Sequence, residues 1–182
     1  MAIYADSKVK LTYAEYRQFP KDGRRHEIID GDHFAQPTPP TYHQTVSRRI
    51  LFQIYEQLEK PGLGEVYDAP TDLQLTETDI VQPDLIVVLK RERKIVTPTK
   101  IKGIPDLVVE ILSESTERTD RTLKLELYRR TRVPEYWIVD PTDHLVEQYI
   151  LEGDQYRLAG KPHDQIAFQG APGVTVDLDE VW

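Results

Sequence analysis

The chain has 182 residues, 39% of them apolar, which is enough for one globular domain with a sizeable core and too little for two. It contains no cysteine, which excludes disulfide bonds, thiolate zinc sites and a cysteine nucleophile. Its net charge of −8 argues at first against nucleic acid as a partner, because phosphate binding depends on lysine and arginine. We therefore expect a single domain over residues 1–182, with residues 1–10 as a flexible lead-in.

The positive charge is concentrated in one part of the chain. Between Lys90 and Arg132 stand twelve basic and seven acidic residues, so this span carries +5 and the remainder −13. That distribution is compatible with a cationic surface on an acidic body, although charged runs are more often plain solvated faces. The longest apolar runs are too short to span a membrane and the first residues do not resemble a signal peptide, so a soluble, cytoplasmic protein is expected.

The first elements are a short helix, a hairpin and a long helix. "LTYAEYRQFP" predicts a helix that ends before Pro20, and "RRHEIIDGDHFAQP" predicts two strands joined at Asp30-Gly31, which places Glu27 on the first strand. A long amphipathic helix follows and stops at Pro61-Gly62. Its apolar positions recur at helical spacing: Val46, Ile50, Leu51, Ile54 and Leu58.

Two strands in the middle of the chain begin in the same way. After the short strands "GEVYDAP" and "DLQLT", the runs "DLIVVL" and "DLVVEIL" follow Pro83 and Pro105, where a missing N–H does no harm to the sheet. Both runs are continuously apolar and rich in valine and isoleucine, which is typical of strands buried on both faces. They are expected to form the centre of a mixed sheet.

The last predicted elements are a helix and two strands. "TDRTLKLELYRRT" predicts a helix with Leu123, Leu127 and Tyr128 facing inward, and "PEYWIVD" and "HLVEQYIL" predict strands around a turn at 141–143. The order of elements indicates one α/β domain of the mixed α+β kind, with a central mixed β-sheet flanked by helices.

A carboxylate inside a buried strand needs an explanation, since burial of an unpaired charge is expensive. Glu110 interrupts the second apolar run, and Asp84 and Asp106 each follow a proline. Asp106 is interpreted as a turn residue. If the strands of Asp84 and Glu110 are neighbours, their carboxylates converge and offer oxygen ligands to Mg²⁺, with Mn²⁺ as a possible substitute. Such a site suits metal-assisted phosphodiester hydrolysis, which also requires a nearby ammonium group.

Several segments together resemble a known family. The segments are "HEIIDGD", "PDLIVV", "PDLVVEILSEST", "TDRTLKLELYRR" and "VPEYWIVDP". The resemblance extends from about Leu11 to the C-terminus, and it identifies the restriction endonuclease family of Uma type, a branch of the PD-(D/E)XK nuclease superfamily. It implies a restriction-endonuclease-like core, a DNA substrate, Asp84 and Glu110 as metal ligands, and Glu27 as a further catalytic residue that completes the metal shell. The alternative for Glu27 is a solvent-facing strand residue next to His26.

The expected lysine is missing from its usual place. Leu112 stands two residues after Glu110, where the superfamily pattern has lysine. The resemblance suggests that the lysine has migrated to the following helix, with Lys124 as the candidate. Asp120, Lys124 and Tyr128 are four residues apart and form one stripe on that helix, with Asp120 and Tyr128 as substrate-binding candidates. An ordinary surface Asp–Lys pair is the alternative reading of this spacing.

Three further positions complete the comparison with the family pattern. His43 opens the long helix where relatives often have a histidine, and it is predicted to contact substrate, with capping or packing as equally plausible roles. Arg132 stands where a helix-ending glycine is frequent, and Glu114 where a proline is common.

The leading hypothesis is a Mg²⁺-dependent DNA endonuclease that acts as a homodimer, since two sites related by a two-fold axis serve the cutting of a duplex. The alternative is a degenerate nuclease fold that binds nucleic acid or a protein without cleaving. A hydrolase that uses two carboxylates as acid and base ranks last, because only the carboxylates support it.

Overall fold

The computed structural model describes residues 9–182, so the expected lead-in over residues 1–10 lies outside the described residues except for its last two. The helices are α1 (Tyr13–Tyr16), α2 (Thr41–Ile54), α3 (Glu117–Thr119) and α4 (Leu125–Arg130). A π-helical turn at Tyr55–Glu59 continues α2, another at Asp120–Lys124 joins α3 to α4, and Lys90–Ile95 is a 3₁₀ helix.

Thirteen strands are found among the described residues. They are β1 (Arg25–Ile29), β2 (Asp32–Gln36), β3 (Gly64–Asp68), β4 (Leu73–Thr76), β5 (Asp79–Val81), β6 (Leu85–Leu89), β7 (Ile101–Lys102), β8 (Leu107–Ile111), β9 (Glu135–Asp140), β10 (Leu145–Glu152), β11 (Gln155–Gly160), β12 (Gln165–Ala167) and β13 (Thr175–Asp177).

The central sheet has six strands in the order β11-β10-β9-β8-β6-β3. Strands β8 and β9 run parallel and the other neighbours are antiparallel, so the sheet is mixed, as the sequence predicts. The two continuously apolar runs are β6 and β8, which are adjacent, and every residue of both is buried. The expected fold class is confirmed.

The second sheet has five strands in the order β2-β1-β5-β4-β7. It starts with the predicted hairpin, whose turn residues Asp30 and Gly31 have φ angles of 50° and 78°. Left-handed conformations at both positions match the twist of a two-residue hairpin, which explains the Asp-Gly pair. The remaining strands, β12 and β13, form a separate two-stranded sheet.

The core explains why β6 and β8 are apolar throughout. Side chains alternate between the faces of a strand, so β6 and β8 each contribute to two apolar clusters. One cluster joins the odd-numbered residues, such as Val87 and Val109, to α2 and the β12–β13 sheet. The other joins the even-numbered residues, such as Ile86 and Val108, to α4 and the five-stranded sheet. Both faces of the central sheet are therefore covered.

Some elements differ from the sequence-based expectations. Strands β5 and β7 contain three and two residues, too few for a periodic pattern, and strands β11 to β13 were not predicted. Leu123, predicted to face inward, is 43% exposed. The π-helical turn Asp120–Lys124 is wider than an α-helical turn, so Lys124 rather than Leu123 faces the core.

Within residues 9–182, no helix combines the length and the apolar character needed to cross a bilayer.

The backbone conformation at the end of α4 explains why a glycine is expected at position 132. Arg132 has a φ of 67°, and its N–H and that of Val133 donate to the carbonyl groups of Arg129 and Tyr128. These are the two hydrogen bonds of a Schellman motif, whose left-handed residue is usually glycine. Arg132 therefore adopts a left-handed conformation that is unfavourable for any residue with a side chain.

We expect Arg132→Gly to raise the free energy of unfolding by roughly 1 kcal/mol relative to Arg132→Ala, because only glycine escapes the left-handed penalty. Both variants lose the exposed ion pair with Asp154, which contributes little. Urea denaturation of the two variants measures the difference. Equal midpoints would show that the backbone at this position is unstrained.

Candidate active site

The register between β6 and β8 brings Asp84 and Glu110 together. Leu85 pairs with Val109 in this antiparallel ladder, so Asp84, one residue before β6, stands opposite Glu110. Opposed residues of antiparallel strands have their side chains on the same face, with Cβ atoms about 5 Å apart. The N–H of Ile111 donates to Oδ2 of Asp84 at 2.9 Å, which fixes the aspartate beside the second strand.

Asp84 is held by two nitrogen-bearing side chains. Nη1 of Arg25 lies 2.6 Å from Oδ1, and Nε2 of His43 lies 3.0 Å from Oδ2. Burial favours a raised pKa for this carboxyl, but the hydrogen bonds and charges of His43 and Arg25 outweigh it and lower the pKa. Nε2 of His43 also lies 2.9 Å from the carbonyl oxygen of Ile111, which can only accept, so this nitrogen carries a proton.

Glu110 is held by two donors on one oxygen. Nζ of Lys124 and the hydroxyl of Tyr128 both donate to Oε1, each at 2.8 Å. Burial raises the pKa of Glu110 well above its usual range; the Lys124 ammonium opposes this, while Asp120, Asp84 and Glu27 add to it. Neither donor reaches Oε2, and no other described residue donates a hydrogen bond to that oxygen.

Lys124 is the centre of the charged cluster. Its side chain is only 1% exposed, and Nζ lies 2.8 Å from Glu110, 3.1 Å from Glu27 and 3.6 Å from Asp120. Burial acts to lower the pKa of this ammonium group, but the three carboxylates outweigh burial and raise the pKa well above its usual range. Lys124 is therefore a charged group in the interior.

A π-helical turn carries Asp120 and Lys124 into the cluster. Such turns occur frequently at functional sites. Burial raises the pKa of Asp120 to about 6, although the Lys124 charge acts against it. Oδ1 of Asp120 is buried and has no hydrogen-bond partner among the described residues.

Asp84, Glu110 and Asp120 line one small cavity, together with Arg25 and His43. The cavity volume is about 10 Å³, close to what a single water-sized particle needs. Among the described residues, Nδ1 of His43 is a second buried atom without a hydrogen-bond partner. The cavity is thus bordered by three carboxylates, and two of its lining residues, Asp120 and His43, each have a buried polar atom without a hydrogen-bond partner among residues 9–182.

The donor set can be compared with the needs of a metal ion. Residues 9–182 contain no group of three or more histidine or acidic side chains arranged to hold one. Mg²⁺ needs fewer protein ligands, because it commonly binds one or two carboxylates and completes its coordination shell with water and phosphate oxygens. Asp84 and Glu110 meet that smaller requirement, and Oε2 of Glu110 is available to a ligand.

The remaining predicted residues contact the charged cluster, and some of them lie behind the cavity. Glu27 is fully buried and does not border the cavity; it contacts Lys124 and accepts hydrogen bonds from Gln36 and Gln82. Tyr128 is also fully buried, in contact with Glu110. His43 makes no capping hydrogen bond in α2 and contacts Asp84 instead.

Three further residues bear on the sequence-based predictions. Arg25 was missed, although it precedes the quoted "HEIIDGD" directly and its strand carries Glu27. Asp106 accepts a hydrogen bond from the N–H of Leu89 and contacts Arg91, in line with its structural interpretation. Leu112 is 5% exposed and belongs to the apolar cluster under α4.

The suggested cationic surface over 90–132 is largely neutralised. Nine of its twelve basic side chains lie within ion-pair distance of a carboxylate, and Lys124 among them is in the interior. Only Lys90, Lys100 and Arg118 have no such partner within residues 9–182. A net charge counted along the chain does not reveal carboxylates that come from other segments.

Comparisons with known proteins concern the family and the fold. A family model, Uma2, described as "Putative restriction endonuclease", matches residues 13–179. An uncharacterized protein of Synechocystis sp. is 31% identical over 149 residues, which cover 80% of this chain and 76% of that protein. The crystal structure of a "putative nuclease belonging to DUF820" from Anabaena variabilis superposes with a TM-score of 0.77 at 16% identity, covering 94% of this chain and 97% of that one. The last similarity concerns the fold.

The pKa of Asp120 gives a test of the cluster. Its carboxyl is raised from 3.8 to about 6 in the folded protein, so between these values the folded state binds more protons than the unfolded state. The native protein therefore loses stability through Asp120 as the pH rises from about 4 to 6. We expect Asp120→Asn to gain on the order of 2–3 kcal/mol relative to the native protein over this interval.

Urea denaturation at a series of pH values in EDTA measures this gain. Asp143→Asn, which removes an exposed carboxylate on a turn, is the matched control. A stability difference between Asp120→Asn and the native protein that stays constant with pH would contradict a raised pKa.

Proposed function

The chain belongs to the Uma2 family of restriction-endonuclease-like proteins, and from that premise we propose that it is an endonuclease that hydrolyses DNA phosphodiester bonds with a divalent metal ion, Mg²⁺ or in its place Mn²⁺. Asp84 and Glu110 are the proposed metal ligands. A homodimer, with one site for each strand of a duplex, is part of the proposal.

The observation that carries the proposal is the arrangement around Glu110. Lys124 and Tyr128 both occupy Oε1, so the carboxylate is fixed in orientation while Oε2 stays available. Glu110 lines the cavity, and Oε2 is not among the fully buried polar atoms without a partner in residues 9–182, so a ligand can approach this oxygen. Glu27 shows the contrast, since both of its oxygens accept hydrogen bonds.

A bound divalent ion would supply Lewis-acid polarisation of the phosphate and a water molecule of lowered pKa. The chain itself supplies the charge around the reacting group. The Lys124 ammonium, kept protonated by its carboxylate neighbours, stabilises negative charge that develops on the phosphate oxygens. Glu27 holds Lys124 from the side opposite to Glu110, and Tyr128 holds the orientation of Glu110.

Asp84 is prepared as an anionic ligand by its neighbours. Its lowered pKa keeps it ionised, and the Ile111 N–H fixes Oδ2 beside β8. His43 holds the same oxygen and the carbonyl of Ile111, so its proposed role is to position Asp84. Asp120 borders the cavity, its Oδ1 accepts no hydrogen bond from residues 9–182, and it is proposed to hold the attacking water.

One observation favours a second candidate, a nuclease fold that binds nucleic acid without cleaving it. Both oxygens of Asp84 already have partners, and the cavity is too small for a phosphate group. Substrate access requires the Arg25 side chain to leave Asp84. If that contact is permanent, no metal ion can bind, so metal affinity separates the two candidates.

The decisive measurement is cleavage of supercoiled DNA in Mg²⁺, Mn²⁺ or EDTA. We expect metal-dependent nicking by the native protein and its loss by at least about 100-fold in Asp84→Asn and in Lys124→Met, since Asp84 is a proposed metal ligand and Lys124 supplies the ammonium group that holds Glu110. Asp106→Asn is the matched control, because it changes the second Pro-Asp pair, lies outside the cavity and should retain activity.

Thermal denaturation of each variant distinguishes a lost reaction from a lost fold. Calorimetric titration with Mn²⁺ completes the set, with binding expected for the native protein and strongly reduced for Glu110→Gln. If the native protein binds no metal and cuts no DNA, the nuclease proposal fails and the second candidate replaces it.

A further inference from the structure

A groove of about 1110 Å³ lies next to the carboxylate cavity. It lies between the segment that follows α1, the start of β1, the connection of β3 to β4 and the segment 96–101. We call it the basic groove. Its charged side chains are Arg17, Lys21, Arg24, Arg25, Asp72 and Lys100.

The groove has the opposite charge from the protein as a whole. Five cationic side chains and a single carboxylate, Asp72, line it, in a chain whose net charge is −8. Asp72 already accepts hydrogen bonds from Tyr16 and Gln82. Arg17 and Lys21 are exposed and form no ion pair with any carboxylate of residues 9–182. The other three cations have partners: Arg24 lies 4.0 Å from Asp22, Arg25 contacts Asp84, and Lys100 lies over the ring of Tyr13.

Aromatic side chains stand among these cations. Tyr16, Phe19 and Tyr67 line the groove and are half-buried, so part of each ring is accessible. A cationic groove that also presents aromatic side chains is the usual surface for a single strand of nucleic acid, whose backbone follows the charges and whose bases stack. Two helices border the groove, the four-residue α1 through Tyr16 and the start of α2 through Gln44.

Arg25 connects the groove to the proposed active site. It lines both the basic groove and the small cavity, and its guanidinium group contacts Asp84 at 2.6 Å. A phosphate in the groove offers Arg25 a second anionic partner with a geometry that guanidinium groups bind well. A change of partner from Asp84 to phosphate would free Oδ1 of Asp84 and open the cavity towards the groove.

We propose that the basic groove binds single-stranded nucleic acid, with Arg17, Lys21 and Arg24 on the phosphates and Arg25 as the residue that exchanges Asp84 for a phosphate at the entrance of the site. Binding in the groove is independent of the proposed nuclease reaction. The role of Arg25 at the entrance rests on the proposed function.

The test is fluorescence anisotropy in EDTA, with a labelled single strand of about 16 nucleotides and the duplex formed with its complement. Arg17→Glu combined with Lys21→Glu reverses two charges in the groove. Lys90→Glu combined with Arg157→Glu makes the same charge change outside the groove and is the matched control. The affinity is measured over a series of salt concentrations.

We expect the native protein to bind the single strand more tightly than the duplex. The groove variant should bind at least about tenfold more weakly, and its slope of log K against log salt should fall by about 0.7 for each phosphate contact removed, while the control keeps the native slope. Equal weakening of binding in both double variants would contradict the proposal that the groove is the binding site. Equal or tighter binding of the duplex would contradict the preference for a single strand.

The outcome for the groove can be separated from the outcome for the reaction. A protein that binds single strands through the groove but cuts with no metal contradicts the nuclease proposal alone. A protein that cuts DNA, yet binds the single strand equally well when the charges of Arg17 and Lys21 are reversed, contradicts only the proposal that the groove binds nucleic acid.

Arg25→Gln tests the exchange of Asp84 for a phosphate. We expect this variant to bind Mn²⁺ more tightly and the single strand more weakly. A loss of both kinds of binding would contradict the proposed exchange.

Discussion

The cluster of buried carboxylates depends on one buried cation, Lys124. Lys124 lies in the interior within 3.6 Å of three carboxylates that come from β1, β8 and the π-helical turn. A charge in this position is tolerated only because its partners surround it, and each partner is tolerated because of the lysine. Removal of Lys124 would leave three acidic groups in an apolar environment, so the two sheets and the helix are tied together electrostatically at this point.

The cluster has more negative than positive charge. Four carboxylates, Glu27, Asp84, Glu110 and Asp120, face two permanent cations, Arg25 and Lys124. Burial is the main cause of the raised pKa of Glu110 and Asp120, and the neighbouring carboxylates raise both pKa values further. A divalent cation would relieve the excess negative charge and would release protons as it binds. The excess charge and the available Oε2 of Glu110 thus point to the same kind of ligand.

The sequence predicted the elements that have strong local signals. The Asp30-Gly31 hairpin, the long helix and the two buried strands all follow from turn chemistry, periodicity or apolar runs, and the neighbouring placement of Asp84 and Glu110 follows from the pairing of those strands. The π-helical turn could not be predicted, because its register depends on what Lys124 contacts in the folded protein. Arg25 was missed for the same reason, since its partner Asp84 is 59 residues away in sequence.

The position of the lysine follows from the geometry of the sheet. Residues 110 and 112 are two apart on β8 and its extension, so both side chains lie on the face that α4 covers. A lysine at position 112 would reach the carboxylate along the strand, whereas Lys124 reaches it from the helix packed across the same face, beside Tyr128. With the ammonium supplied by the helix, position 112 can be apolar, and Leu112 joins the cluster under α4. Under the proposed function, the departure from the strand-borne pattern is a change in which element supplies the charge, with the charge still on the face where Glu110 lies.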